Sequence, residues 1–171
     1  MSILIAAILS FFITTLFGHV VHWMLHQTWS GAVHQAHMAH HLKLYPPSDY
    51  VSKVYRDAGK DSTPKFFAIA AIPLVITPII LWLFGIVTLP VMITVLAVEG
   101  LMGFLHNYLH DAFHIEGHWL YKVYAIRRLF AYWTAIHYLH HVDMSKNYGI
   151  FNYFWDHVFG TYTNYVETKQ E

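Results

Sequence analysis

ILIAAILSFFITTLFGHVV, residues 3 to 21, carries no Asp, Glu, Lys or Arg. At about 1.5 Å of rise per residue it is long enough, as a helix, to cross nearly all of a hydrocarbon core about 30 Å thick. No cluster of positive charge precedes it and no small-residue cleavage site follows, so it reads as a retained spanning helix, not a secretory signal. A second apolar stretch runs from Phe66 to Phe84; its Pro73 and Pro78 bend a membrane helix without having to break it. Gly85 follows, and a third stretch from Ile86 to about Leu105 comes so soon after that the two predict a tight hairpin. Of the 171 residues, 56% are hydrophobic and 12% charged, half the roughly 25% of a soluble domain. The reading is an all-α integral membrane helical bundle, one domain over residues 1–171, with about three transmembrane helices and a cytoplasmic histidine-rich helical cap.

Three spans return both polar regions, 22–65 and 106–171, to one side of the bilayer. Charge agrees independently, because Lys43, Lys53, Arg56, Lys60, Lys65, Lys122, Arg127, Arg128, Lys146 and Lys169 all fall in those regions. By the positive-inside rule that side is the cytoplasm. Ten basic residues against ten acidic ones supply no broad cationic surface, which excludes nucleic acid as a partner. The absence of cysteine excludes disulfides, thiolate metal sites and thiol nucleophiles, and no serine sits in a recognisable nucleophile motif.

The fifteen histidines crowd into a few short stretches. His22 and His26 form an HxxxH pair with His19 one turn earlier, and His37, His40 and His41 form HxxHH with His34 before them. His106, His110, His114 and His118 are spaced by four, and His137, His140 and His141 repeat HxxHH. Spacings of three and four place side chains on one helical face. Imidazoles gathered this densely need something to accept their lone pairs, and a metal ion does so. A structural zinc site uses four ligands; the number of candidates here argues for two ions.

In order and spacing these motifs resemble the fatty acid hydroxylase/sterol desaturase superfamily, the histidine-rich integral membrane di-iron oxygenases. The family pattern falls on His22/His26, on His37/His40/His41, on a third pair within 106–114 and on His137/His140/His141. A family-like signature follows in Asn147-Tyr148-Gly149, Trp155-Asp156 and Phe159-Gly160-Thr161. The third pair stays open, since His106/His110 and His110/His114 both fit. The resemblance implies two non-haem iron ions held by His22, His26, His37, His40, His41, His106, His110, His114, His137, His140 and His141. It also implies O2 as cosubstrate and oxidation of an unactivated C–H bond of a membrane lipid. The 171 residues hold no haem-binding segment of cytochrome b5 type, so the implied electron source is a separate cytochrome b5-like or ferredoxin-like protein. Small size points to a bacterial inner membrane, or to the endoplasmic reticulum if the host is eukaryotic. Carotenoid hydroxylation and lipid or sterol desaturation are alternatives within the superfamily. A non-catalytic membrane metal-binding or transport protein is the alternative of another class.

Outside the motifs, Glu99 lies two turns before His106 on the same helical face, either as a carboxylate that orients a ligand imidazole or as a helix-packing residue. Asp111, Asp143 and Asp156 are further candidates for orienting a ligand. The aromatic segment Trp119 to Trp133, with Lys122, Arg127 and Arg128, reads as one interfacial helix that anchors the chain or receives an acidic redox partner. An apolar tunnel ending between the histidine clusters is expected for a lipid substrate.

Overall fold

The computed structural model of the chain describes residues 2–56 and 63–165, and among them regular structure is entirely helical apart from one isolated bridge between Ser52 and Ile115. The first helix, α1, spans Ile3–Leu25, capped by the Ser2 side chain, which accepts from the Ile5 amide at 3.3 Å. It runs four residues beyond the apolar stretch because nothing in Val21-His22-Trp23-Met24-Leu25 breaks a helix. Two short helices follow, α2 (Ala32–Ala39) and, after the loop, α3 (Thr63–Ala70). The second span is α3 continued by α4 (Ile72–Leu83). The helical path loosens at Ala71, just ahead of Pro73, whose missing amide removes a hydrogen bond from the turn, yet Ala71 N–H still donates to Phe67 O at 2.9 Å. The hairpin reverses at Gly85, with φ of 69°, where a side chain would be strained. The third span, α5 (Leu89–Phe113), begins with Pro90 in its first turn and likewise outruns its apolar stretch, carrying His106 and His110 as helical residues.

Three helical segments, Ile3–Leu25, Phe66–Leu83 and Leu89–Phe113, are long and apolar enough to cross a membrane. Only 22%, 6% and 11% of their most apolar windows are buried inside the protein. Helices this greasy and this uncovered cannot be core helices of a soluble fold; their outer faces call for an apolar solvent.

The segment after α5 departs from the single interfacial helix expected for 119–133. Trp119–Lys122 is one 3-10 turn, Val123 is extended, and the sixth helix, α6, runs Arg127–Val142. The physical reason is burial: Leu120 turns inward onto Phe113, Phe130 and Ile150, whereas Trp119 and Tyr124 face out, a division that one straight helix does not allow here. A last helix, α7 (Phe154–Phe159), ends at Gly160 in the left-handed conformation and packs beside α1.

Candidate metal centre

Two sets of histidines converge where α1 and α5 end. His22, His26, His37, His41 and His140 form one group, and His40, His114, His137 and His141 the other; within each, one ring nitrogen per residue lies within 4.8 Å of all the rest. Either group could hold a metal ion. They share a wall, since the His41 and His141 rings are 4.0 Å apart. All nine rings are buried except that of His26, which is partly so.

The rings are held by main-chain carbonyls. Nδ1–H of His22 donates to Tyr148 O at 2.7 Å, that of His114 to Tyr50 O at 2.9 Å, that of His140 to Lys146 O at 2.6 Å and that of His141 to Tyr45 O at 2.8 Å. A carbonyl only accepts, so each of these neutral rings carries its hydrogen on Nδ1 and presents a bare Nε2. Nε2 of His22, His114 and His141 meets no hydrogen-bond partner. In the larger group Nε2 of His26 lies 3.0 Å from Nε2 of both His140 and His37, and His41 Nε2 lies 3.1 Å from that of His37. One hydrogen on His26 cannot point at His140 and His37 together. Two nitrogens at right angles around one ion, each roughly 2.1 Å from it, stand about 3 Å apart. The donor set therefore fits a transition-metal ion far better than it fits a hydrogen-bonded histidine core.

Burial pushes the same rings toward neutrality, the form that binds metal. His26 is lowered to about 3, by burial first and then by the neighbouring His34. His37, His40, His41, His114, His137, His140 and His141 are all held well below the ordinary imidazole range, in each case by desolvation first and then by neighbouring imidazoles, His26 and His110 included.

Of the eleven candidates, nine are brought together and two are not. His110 stands beside the smaller group, its ring 4.8 Å from that of His40 and 4.9 Å from that of His137, but its nitrogens belong to neither set. His106 lies against Phe67, and a Cβ added at Gly18 of α1 would sit 3.3 Å from its Nδ1. Of the 106–114 run, His114 alone belongs to a group, and His110 borders it. Glu99 lines a cavity whose wall includes His106 but none of the nine.

Several supports carry weaker sequence signals. Arg56 binds Leu44 O at 2.6 Å, Asp49 Oδ1 at 2.8 Å and, through its amide, the Tyr45 hydroxyl, thereby shaping the loop that offers Tyr45 and Tyr50 carbonyls. Buried Asp156 accepts from the amides of Tyr148 at 2.7 Å and Gly149 at 2.9 Å and from Thr161 Oγ1 at 2.7 Å, so it orients a ligand at one remove, by fixing the peptide that holds His22. Asn147, at φ of 56°, ties the same loop to Thr163 in both directions. These are the Asn147-Tyr148-Gly149 and Trp155-Asp156 signatures, visible in the sequence without their role. The 2.6 Å bond from His140 to a lysine carbonyl had no side-chain signal at all.

No protein-family model, curated protein or solved structure matches this chain.

Proposed function

We propose that this chain is a membrane-bound non-haem di-iron oxygenase that hydroxylates an unactivated C–H bond of a lipid, as its resemblance to the fatty acid hydroxylase/sterol desaturase superfamily implies. The observation that carries the reading is the pair of abutting histidine groups at the ends of two membrane-length helices. His22, His26, His37, His41 and His140 would hold one iron, and His40, His114, His137 and His141 the other. Two bound irons supply the reduction of O2 and the oxidising power needed to break a C–H bond. The chain's own residues do the rest. The carbonyls of Tyr45, Tyr50, Lys146 and Tyr148 keep each ligating imidazole in one tautomer and orientation. Tight burial keeps bulk water from the rings. An apolar cavity between α1, α4 and α5 reaches His106 and Gly149, the neighbour of Tyr148, which supports delivery of a lipid from within the bilayer. None of the nine histidines is among its lining residues, so it is not itself the tunnel expected between the clusters. The electrons such a pair of irons would require would come from a separate cytochrome b5-like or ferredoxin-like protein on the cytoplasmic side.

The test is direct. Membranes from cells expressing the chain aerobically are extracted and compared by mass spectrometry with a His140→Ala control. A lipid that gains one oxygen only in the active extract supports hydroxylation, and one that loses two hydrogens reassigns the chain to desaturation. Identical extracts together with metal-free purified protein overturn the proposal.

A further inference from the structure

Outside the histidine groups, the buried side-chain atoms without a hydrogen-bond partner among the described residues are Thr14 Oγ1, His19 Nδ1, Glu99 Oε2 and Asn152 Nδ2. All four residues line one cavity of about 530 Å³ between α1, α4, α5 and loop 149–152. That volume falls within the roughly 300 to 1,000 Å³ of small-molecule sites. The remainder of the wall is mainly apolar, with Phe17, Leu74, Val75, Leu96 and Met102 among it.

Thr14 is the telling residue. Thr15, Thr77, Thr94 and Thr134 each return their hydroxyl to the carbonyl four residues back, at 2.7 to 2.9 Å. Thr14 makes no such bond, although it is only 9% exposed and sits within a membrane-length helix. An unsatisfied polar group costs most where water is scarce, so an occupant that bonds it is favoured. Glu99 lies about 10 Å before His106 along α5, and Thr14 about 6 Å before Gly18 along α1. Because Gly18 faces His106, the hydroxyl and the carboxyl lie at neighbouring depths on adjacent helices.

We propose that this cavity is a binding site for a neutral long-chain alcohol of the membrane, whose hydroxyl bonds to Thr14 and Glu99 while its chain lies along the apolar wall. A plain hydrocarbon leaves the polar atoms unsatisfied. A fatty acid sets a second acidic group against Glu99 in a poorly hydrated place, where the two cannot both ionise and one must be held protonated, a cost an alcohol does not carry. A hydroxyl both donates and accepts, and so it suits a carboxyl and a threonine together. The cavity is the one read above as the route of a lipid to the centre, yet occupancy needs no metal, so the failure of this inference and that of the oxygenase reading are distinguishable.

The experiment uses the full chain in phosphatidylcholine vesicles with 1-hexadecanol carrying a mid-chain diazirine, set against hexadecane and hexadecanoic acid probes of the same design. Illumination and peptide mass spectrometry are expected to find the alcohol on the apolar wall of the cavity, on the segments of α1, α4 and α5 that line it, about fivefold above the hydrocarbon, the weight of one ordinary hydrogen bond. Thr14→Val and Glu99→Leu together bring alcohol labelling down to the hydrocarbon level without changing labelling by the hydrocarbon itself. On the wild-type chain, unlabelled 1-hexadecanol competes and hexadecane does not, which makes the outcome independent of how the variants fold. Equal labelling by alcohol and hydrocarbon, labelling by the acid as strong as by the alcohol, or an unchanged alcohol preference in the double variant would each overturn the proposal.

Discussion

The two HxxHH motifs are identical as patterns and opposite in use. In the first, His37 and His41 serve the larger histidine group and His40 the smaller; in the second, His137 and His141 serve the smaller group and His140 the larger. Residues four apart share a face and so share a group, while the one between them points to the neighbour. Each motif thus bridges both groups, and the two are crossed. They also differ in backbone. His137–His141 lies in regular α6, whereas His40–Leu44 is a widened turn, closed by Tyr45 N–H to His40 O at 2.8 Å, at the end of α2. Widened turns of this kind recur at functional sites, and here it lets a short helix match a long one.

The crossing makes the largest prediction. His40→Ala and His41→Ala alter adjacent residues and are expected to empty different sites, each lowering iron content by about half. Each is also expected to lower turnover by more than about 100-fold, beyond the 10–100-fold typical of residues that only orient ligands. Metal analysis with Mössbauer spectra of the two variants checks this: the remaining iron must differ in its signature. If both variants lose the same iron, the motifs run parallel and the crossing is wrong.

A smaller effect separates the two motifs through their supports. Gly149 lies so close to Asp156 that an added Cβ would meet Oδ2 at 2.8 Å and collide with the Asn152 carbonyl oxygen. Gly149→Ala is therefore expected to displace the Tyr148 peptide and loosen His22. Iron affinity should fall roughly tenfold in the larger group and little in the smaller, whose rings hang on Tyr45 and Tyr50. Titration of metal-free protein with Fe(II) reads the two affinities; an equal loss at both sites would show that the loop acts on the whole centre.

Much of this arrangement was legible in the sequence. Three spans followed from apolar run length, and nine of the eleven histidines meet as the four motifs suggested. The C-terminal ends of the first and third spans were set too early because apolarity marks where lipid is, whereas the helix continues until its backbone is stopped: α5 carries on through the polar residues after Leu105 to Phe113. The carbonyl supports were hidden for another reason. A main-chain oxygen has no residue type, so only chain path reveals that Tyr45, Tyr50, Lys146 and Tyr148 lie behind the rings. The place of Glu99 was only half legible, because two turns of helix keep a residue on one face but carry it about 10 Å along the axis.

Acid should distinguish the buried rings from ordinary ones. In the metal-free fold His26 titrates near 3, yet in the unfolded chain at about 6.5. Between those values the unfolded state binds the extra proton, so stability is full above about pH 6.5 and falls as the pH drops toward 3. The other lowered rings act in the same direction. Thermal unfolding of metal-free protein in detergent is expected to shift several degrees lower from pH 7.5 to pH 5, and a His26→Gln variant to shift less. A melting temperature independent of pH would mean that the rings are hydrated in the metal-free state.

The smallest expected effect concerns the run on α5. Each four-residue step turns about 40° about the axis and moves about 6 Å along it, so evenly spaced histidines cannot all face one centre. His114 is reached by that centre, His110 borders it, and His106 lies about 12 Å before His114, against Phe67 and Gly18. His106→Gln is therefore expected to leave iron content unchanged, whereas His114→Gln should lower it by about half. His110→Gln should keep both irons and alter only the spectrum of the smaller site, through the contacts its ring makes with His40 and His137. Loss of iron from the His106 variant would mean that α5 rotates when metal binds, bringing the earlier pair of the run, His106 and His110, to the centre instead of His114.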